Sequence, residues 1–292
     1  MRKVLLAVVL ISIMSCLNAQ KTDTIPGPWK YKGMTSLSFS QVSLYNWAPG
    51  GDNSMAFNGL VLLNLDYTKN KSTWSNIIDM GYGTQKTGTN SPGKTDDHFD
   101  FLTKYGYSTG KNWYMSALVD FKSQFDKGYK VINDQRTLIS DFMSPGYLLA
   151  SLGMEYKPNS KFYFMLSPIG ARTTFVLNDT LSAHGAYGVD PGKKTRTEMG
   201  ASARISLTQD IMKNVTLTTS VDLFSNLLEK PENIDVNWRA LIDMKINKFL
   251  SANFSTALVY DDNIKSIDNA GVTHGPKVQF KEILGVGFSY KF

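Results

Sequence analysis

The feature that most constrains this chain is an alternation of apolar and polar side chains with a period of two, renewed segment after segment up to the last residue. Successive side chains on a β-strand point to opposite faces, so such a pattern writes two different surfaces onto one strand. In the last segment Phe280, Leu284, Val286, Phe288, Tyr290 and Phe292 share one face. Lys281, Gly285, Gly287, Ser289 and Lys291 share the other, and Glu282 and Ile283 break the rule. Upstream, Phe57, Val61, Leu63, Leu65 and Tyr67 alternate with Asn58, Asn64 and Asp66; Phe99, Phe101, Tyr105 and Tyr107 alternate with Asp100, Lys104 and Ser108. Further runs are Trp113 to Phe125 against Ser116, Asp120, Lys122 and Gln124, and Met199 to Leu207 against Glu198, Ser202, Arg204 and Ser206. Val236 to Ile246 alternates with Asp235, Asn237, Arg239, Asp243 and Lys245. Weaker matches at 33–45, 73–85, 146–156, 161–176, 215–225 and 250–260 bring the count to twelve strands.

Alternation alone fits a soluble sandwich as well as a membrane barrel, and the connections separate the two. Tight turns are expected at 68–72, 109–112, 157–161, 209–214 and 247–249. Between them fall mostly longer connections at 46–54, 86–97, 126–145, 177–197, 226–234 and 261–277. Short periplasmic turns alternating with long extracellular loops are the habit of outer-membrane barrels. The expected fold is therefore all-β: a closed antiparallel transmembrane β-barrel of about twelve strands. Closure follows because lipid offers unpaired backbone groups no hydrogen-bond partner, so the strand ending at Phe292 is expected to pair with the first, near residues 33–45.

The aromatic residues, 12% of the chain, sort by strand end. Tyr67, Trp74, Tyr107, Trp113, Tyr156, Phe162 and Phe292 sit beside the short-turn rim; Phe57, Tyr82, Phe99, Phe125, Trp238, Tyr260 and Phe280 sit beside the long-loop rim. Amphipathic rings favour the headgroup level of a bilayer, so two interfacial girdles are expected.

Residues 1–19 read as a secretory signal peptide, with Arg2 and Lys3 ahead of an apolar stretch from Val4 to Met14 and cleavage between Ala19 and Gln20. A lipoprotein signal with a lipid on Cys16 is the alternative. Residues 20–32 then form a short periplasmic segment and 33–292 the barrel, placed in a Gram-negative outer membrane. If Ala19 ends the signal, the chain's single cysteine leaves with it, and no disulfide, thiolate metal site or cysteine nucleophile remains. Removal of Arg2 and Lys3 leaves 31 − 2 = 29 basic against 25 acidic residues. That modest excess has no basic run behind it, which argues against nucleic acid as a partner.

Trp47-Ala48-Pro49-Gly50-Gly51-Asp52-Asn53-Ser54 resembles an uncharacterised family of outer-membrane barrels from Bacteroidota, defined as a domain of unknown function with a Trp-x-x-Gly-Gly motif. Lys104-Tyr105-Gly106-Tyr107, the stretch Gly185 to Lys194, Asp222 to Asn226, Asn233 to Trp238 and Phe280 to Gly287 resemble it too, so that the likeness runs from about Trp29 to Phe292. The resemblance implies a barrel at the outer membrane and brings no catalytic residues with it.

Candidate site residues fall into three groups. Trp47, Gly50, Gly51 and Asn53 form an outer-loop motif; no Lys-Ser/Thr follows the glycines, so it is not a phosphate loop. Tyr67, Trp74, Tyr107, Trp113, Tyr156, Trp238, Tyr260 and Phe292 are the membrane-interface aromatics. The charged lumen lining is expected to comprise Asp66, Asp79, Asp100, Asp120, Lys122, Glu155, Glu198, Arg204, Asp222, Arg239, Asp243 and Lys245, joined by Lys104. If these charges pair they close the lumen; if they stay hydrated they line a narrow pore. His98, His184 and His274 lack zinc spacing, and no G-x-S-x-G elbow is present. Neither a cofactor nor a catalytic residue is expected, and the acidic stretches around Asp96 and Asp261 read as solvated turns rather than Ca²⁺ sites. Two functions remain open: a channel or binding barrel for small solutes, and a structural barrel that docks other envelope proteins through its outer loops. Outer-membrane lipid and the assembly machinery are the other expected partners; Phe292 at the end of an alternating strand resembles the signal that machinery reads.

Overall fold

A computed structural model describes residues 27–45, 52–133, 135–268 and 270–292. The expected signal peptide, Cys16 and the loop residues Trp47, Gly50 and Gly51 lie outside the described residues. The wall is a closed antiparallel barrel of twelve strands. In chain order these are β1 (Trp29–Val42), β2 (Ser54–Lys69), β3 (Ser72–Thr87), β4 (Gly93–Gly110), β5 (Trp113–Ser123), β8 (Gly146–Tyr156), β9 (Phe162–Phe175), β10 (Thr195–Met212), β11 (Val215–Asn226), β12 (Ile234–Lys245), β13 (Leu250–Tyr260) and β16 (Gln279–Lys291). The long connections hold two small hairpins, β6 (Gly128–Ile132) with β7 (Gln135–Ser140) and β14 (Lys265–Ile267) with β15 (Thr273–Pro276), and one short helix, α1 (Asp179–Ala183).

Each wall strand pairs with its neighbour in sequence, and β16 returns to pair with β1. Tight turns at one rim carry residues that tolerate positive φ: Asn70 (55°), Asn112 (71°) and Asn214 (63°). Alternation then places Leu152, Leu166, Leu284 and Phe288 on the exterior, each more than half exposed. The packed core lies inside the barrel, where Leu102, Leu118 and Met165 form a buried cluster. Gly153 marks a close approach there: a Cβ would stand 2.1 Å from the Leu166 carbonyl oxygen, at a register shift between β8 and β9.

Two expected boundaries move. The first strand begins at Trp29, not at residue 33, because Trp29 and Tyr31 lie opposite Tyr67 and Leu65 on β2 and extend the exterior apolar face. The connection expected at 86–97 shrinks to residues 88–92, because Gly93 to Asp96 continue the ladder with β3.

The outer connections pack on one another. Lys130 Nζ donates to the Ile267 carbonyl at 2.6 Å, and the Tyr187 hydroxyl donates to the Ile139 carbonyl. Under them Val176, Leu181 and Val189 form a second buried cluster, with α1 capped by Asn178, whose Oδ1 accepts from the amides of Thr180 and Leu181. Among the described residues no helix is long and apolar enough to cross a membrane, which bears on helices alone.

Candidate functional site

The lumen is the candidate site, and its two sides differ. On the side of β4, β5 and β8 to β11, inward charges are buried and paired. Lys104 Nζ meets Glu155 Oε1 at 2.7 Å, and the Ser116 hydroxyl donates to the other carboxylate oxygen at 3.0 Å. Lys104 also lies 3.3 Å from the centre of the Tyr163 ring. Lys122 reaches Asp120 at 3.2 Å and Asp222 at 3.1 Å, while Arg204 holds Asp222 at 2.7 Å and Asp120 at 3.4 Å. Nearer the long loops, Arg172 gathers Glu198 at 2.8 Å, Asp235 at 2.5 Å and Asp261 at 3.7 Å, and lies over the Phe224 ring. Taking such groups out of water costs several kcal/mol each, so burial is tolerated only because every charge finds a partner.

A bar crosses the middle of the lumen. Arg239 on β12 forms ion pairs with Asp100 on β4 and, at 3.5 Å, with Asp79 on β3. In the strand order β12 and β4 stand six strands apart whichever way the wall is followed, so this contact spans the barrel. Beside it His98 sits between Asp79 (3.3 Å) and Asp96 (3.2 Å), and Lys281 on β16 holds Asp96 at 2.5 Å.

Around the bar, with Asp79, Asp100 and Arg239 in its lining, lies a cavity of ≈ 480 Å³ with no lining residue from β8 or β9. Its lining mixes the charged groups of the bar and of the Lys122–Arg204 network with hydroxyl and amide groups such as Ser36, Asn58, Thr218 and Ser255 and apolar Leu60, Leu62, Ile77, Leu241 and Ile283. At its inner end Lys291 pairs with Asp243.

Of the expected charged lining, Asp79, Asp100, Asp120, Lys122, Arg204, Asp222, Arg239 and Asp243 border the lumen cavity. The structure brings Asp79, Asp100 and Arg239 together at the bar, and Asp120, Lys122, Arg204 and Asp222 in one network. Asp66 takes a hydrogen bond from Ser75 at 2.6 Å, and Lys245 is exposed at the short-turn rim. Arg172, Arg196 and Asp96 escaped the expected lining. Arg172 was hidden by the bulge where β9 shifts register against β10, which breaks strict alternation after Ser167.

Of the aromatics, Trp113 stacks near Tyr156 at 5.1 Å, and Trp29 near Tyr67 at 5.1 Å and Trp74 at 5.8 Å, all at the short-turn rim. Phe292 packs over Gly33, and Tyr107 shares that rim, while Trp238 and Tyr260 lie toward the long loops, with the Trp238 Nε1 donating to Thr219 at 2.9 Å. Asn53 closes the outer-loop motif: its side-chain oxygen accepts from the Leu44 amide at 2.6 Å. The acidic stretches are spent on internal contacts, Asp97 accepting from the amides of Phe125 and Asp126 and from Lys94. Among the described residues no group of three or more His, Cys, Asp or Glu side chains is arranged to hold a metal ion, and no serine hydroxyl hydrogen-bonds to a histidine.

A family model described as a protein of unknown function (DUF3078) matches residues 39–129, a shorter stretch than the expected likeness from Trp29 to Phe292. No curated protein matches the chain in sequence. Among solved structures, an outer membrane channel from Pseudomonas putida F1 is similar at 11% identity and a TM-score of 0.40, covering 94% of this chain and 100% of that one. The translocator domain of the autotransporter NalP from Neisseria meningitidis is similar at 10% identity and a TM-score of 0.33, covering 98% and 96%. The NanC porin is similar at 8% identity and a TM-score of 0.36, covering 88% and 98%. At these scores nothing of what those proteins do passes to this chain.

Proposed function

We propose that this chain is an integral outer-membrane β-barrel whose lumen is a narrow, barred binding barrel for small solutes. Support for the membrane comes from the exterior: large apolar side chains stand exposed around the wall, and aromatic clusters mark the short-turn rim. Outer-membrane lipid is then the exterior's partner. The observation that carries the functional reading is the Arg239 bar beside a ≈ 480 Å³ cavity. That volume lies within the roughly 300–1,000 Å³ of small-molecule sites, whereas an aqueous porin channel takes about 16–18 strands.

Single-channel recording in planar bilayers tests the reading. The native barrel is expected to pass little or no steady current, and Arg239→Ala to raise it severalfold. A native barrel with wide, steady conductance, or an Arg239→Ala variant that leaves a closed barrel unchanged, contradicts the bar. The second reading, a barrel that docks other envelope proteins, draws on the outer connections. They are joined to one another and present Tyr129, Val131, Phe142 and Val272 exposed. A stable co-purifying envelope protein lost on removal of the β6–β7 hairpin would favour it.

A further inference from the structure

The barrel's closing seam is short. Strands β1 and β16 pair only from Met34↔Lys291 to Ser38↔Gly287, with Gly33 and Phe292 exchanging backbone hydrogen bonds below them. The same register would set Phe39 opposite Val286, Gln41 opposite Leu284 and Val42 opposite Ile283, yet among the described residues none of these pairs forms. Phe39 to Val42 are held only by β2, and Gln279 to Val286 only by β13. In hydrocarbon each unpaired backbone group costs several kcal/mol, so an open outer half of a seam is an expensive feature to keep without a use.

The cavity lies behind this gap, since Ser38, Ile283 and Gly285 belong to its lining. Its wall breaks the polar-in rule at apolar doublets such as Leu62-Leu63, Ile77-Ile78, Leu241-Ile242 and Ile283-Leu284. One member of each lines the cavity, and the other takes the opposite face. Ile283 is thereby explained: it departs from alternation because its inward face is also apolar. From the long-loop rim the end-on route passes the Arg239–Asp100 and Lys281–Asp96 ion pairs, which themselves line the cavity. Deeper in, Asp243 and Asn253 sit opposite each other on β12 and β13, and the Oδ1 atom of each is buried without a donor, Asp243 being 4% exposed.

We infer that the cavity binds a single-chain amphiphile that passes sideways from the outer leaflet through the β1–β16 seam. Its chain lies along Leu60, Leu62, Leu241 and Ile283, and its hydroxyl or amine head donates to Asp243 and Asn253. This deepens the binding-barrel reading and rests on it.

The test uses a monoacylglycerol with a diazirine at the chain end, photolysed with the full-length barrel in phospholipid vesicles, and the labelled residues mapped by mass spectrometry. Label on inward Leu60, Leu62 or Leu241, in addition to outward Leu284 and Phe288, is expected. Leu62→Trp, which fills the cavity, should lower the inward label about tenfold, a change of about 1.4 kcal/mol in occupancy, and leave the outward label intact. Bridging Gln41→Cys to Leu284→Cys with a short bis-maleimide should do the same. Outward label alone overturns the inference while keeping the membrane reading; absence of outward label overturns the membrane reading itself. Inward label that persists after bridging overturns the sideways route, as does a second protein chain found cross-linked along β16.

Discussion

The two sides of the lumen are built from the same kinds of strand and solve opposite problems. On the β8–β9 side, Lys104, Glu155, Ser116 and Met165 are almost wholly buried, and the space between them is filled. On the β1–β2 and β13–β16 side, hydroxyl, amide and aliphatic groups face a cavity. The difference teaches where stability and function are divided within one wall. A filled side holds the cylinder's shape by interlocking charges across several strands, and that frees the other side to stay open.

The comparison is broken most sharply at Lys104. Replacing it by Ala leaves Glu155 buried with one hydroxyl partner, and should cost about 3–5 kcal/mol of stability. Urea unfolding in vesicles measures this, and Thr218→Ala on the cavity side should shift the midpoint little. The double replacement Lys104→Met with Glu155→Leu should recover most of the loss, because the pair's own attraction is largely offset by desolvation. Equal losses from Lys104→Ala and Thr218→Ala would erase the distinction between the sides.

Packing gives the next effect. Met165 is 1% exposed, and Met165→Ala should cost about 2–5 kcal/mol. Leu241→Ala borders existing space, so the same urea series should show a clearly smaller shift.

Most of the wall was legible from sequence because a strand with one apolar and one polar face must alternate, and the alternation carries the face of each residue as well as the strand count. Phe280 to Phe292 fixed the last strand and its faces in this way. What escaped reading depended on contacts across the barrel. No local pattern says that Arg239 meets Asp100, because their strands stand opposite each other and 139 positions apart in the chain (239 − 100). Arg172 escaped for a local reason, the register shift after Ser167 that inverts the face it would otherwise take. The β6–β7 and β14–β15 hairpins sit in stretches expected only as loops, since strands of three to six residues with few apolar positions leave little periodicity to detect.

The smallest expected effect lies outside the wall and sharpens the contrast between fixed lumen and adjustable loops. In the β14–β15 connection the Asp268 carboxyl is held below its ordinary range by the hydrogen bond from His274 at 2.9 Å, and then by the Val272 amide. A depressed carboxylate adds stability that is present above its unfolded value and fades as pH falls through its folded value. Corrected for the intrinsic pH dependence of exchange, the protection of the Ala270 and Val272 amides should therefore fall on acidification below the normal carboxylate range, and Asp268→Asn should remove most of that fall without altering protection in β10.

Spin labels along β10 read directly which face of the wall meets hydrocarbon. With the barrel in phospholipid vesicles, nitroxides at Ala201, Ala203, Ile205 and Leu207 should be reached by dissolved oxygen and shielded from a water-soluble nickel chelate. Labels at Ser206 and Thr208, whose side chains line the cavity, should show the opposite preference, giving a period of two. A reversed phase, or chelate access at every position, would contradict a barrel with its apolar side outward.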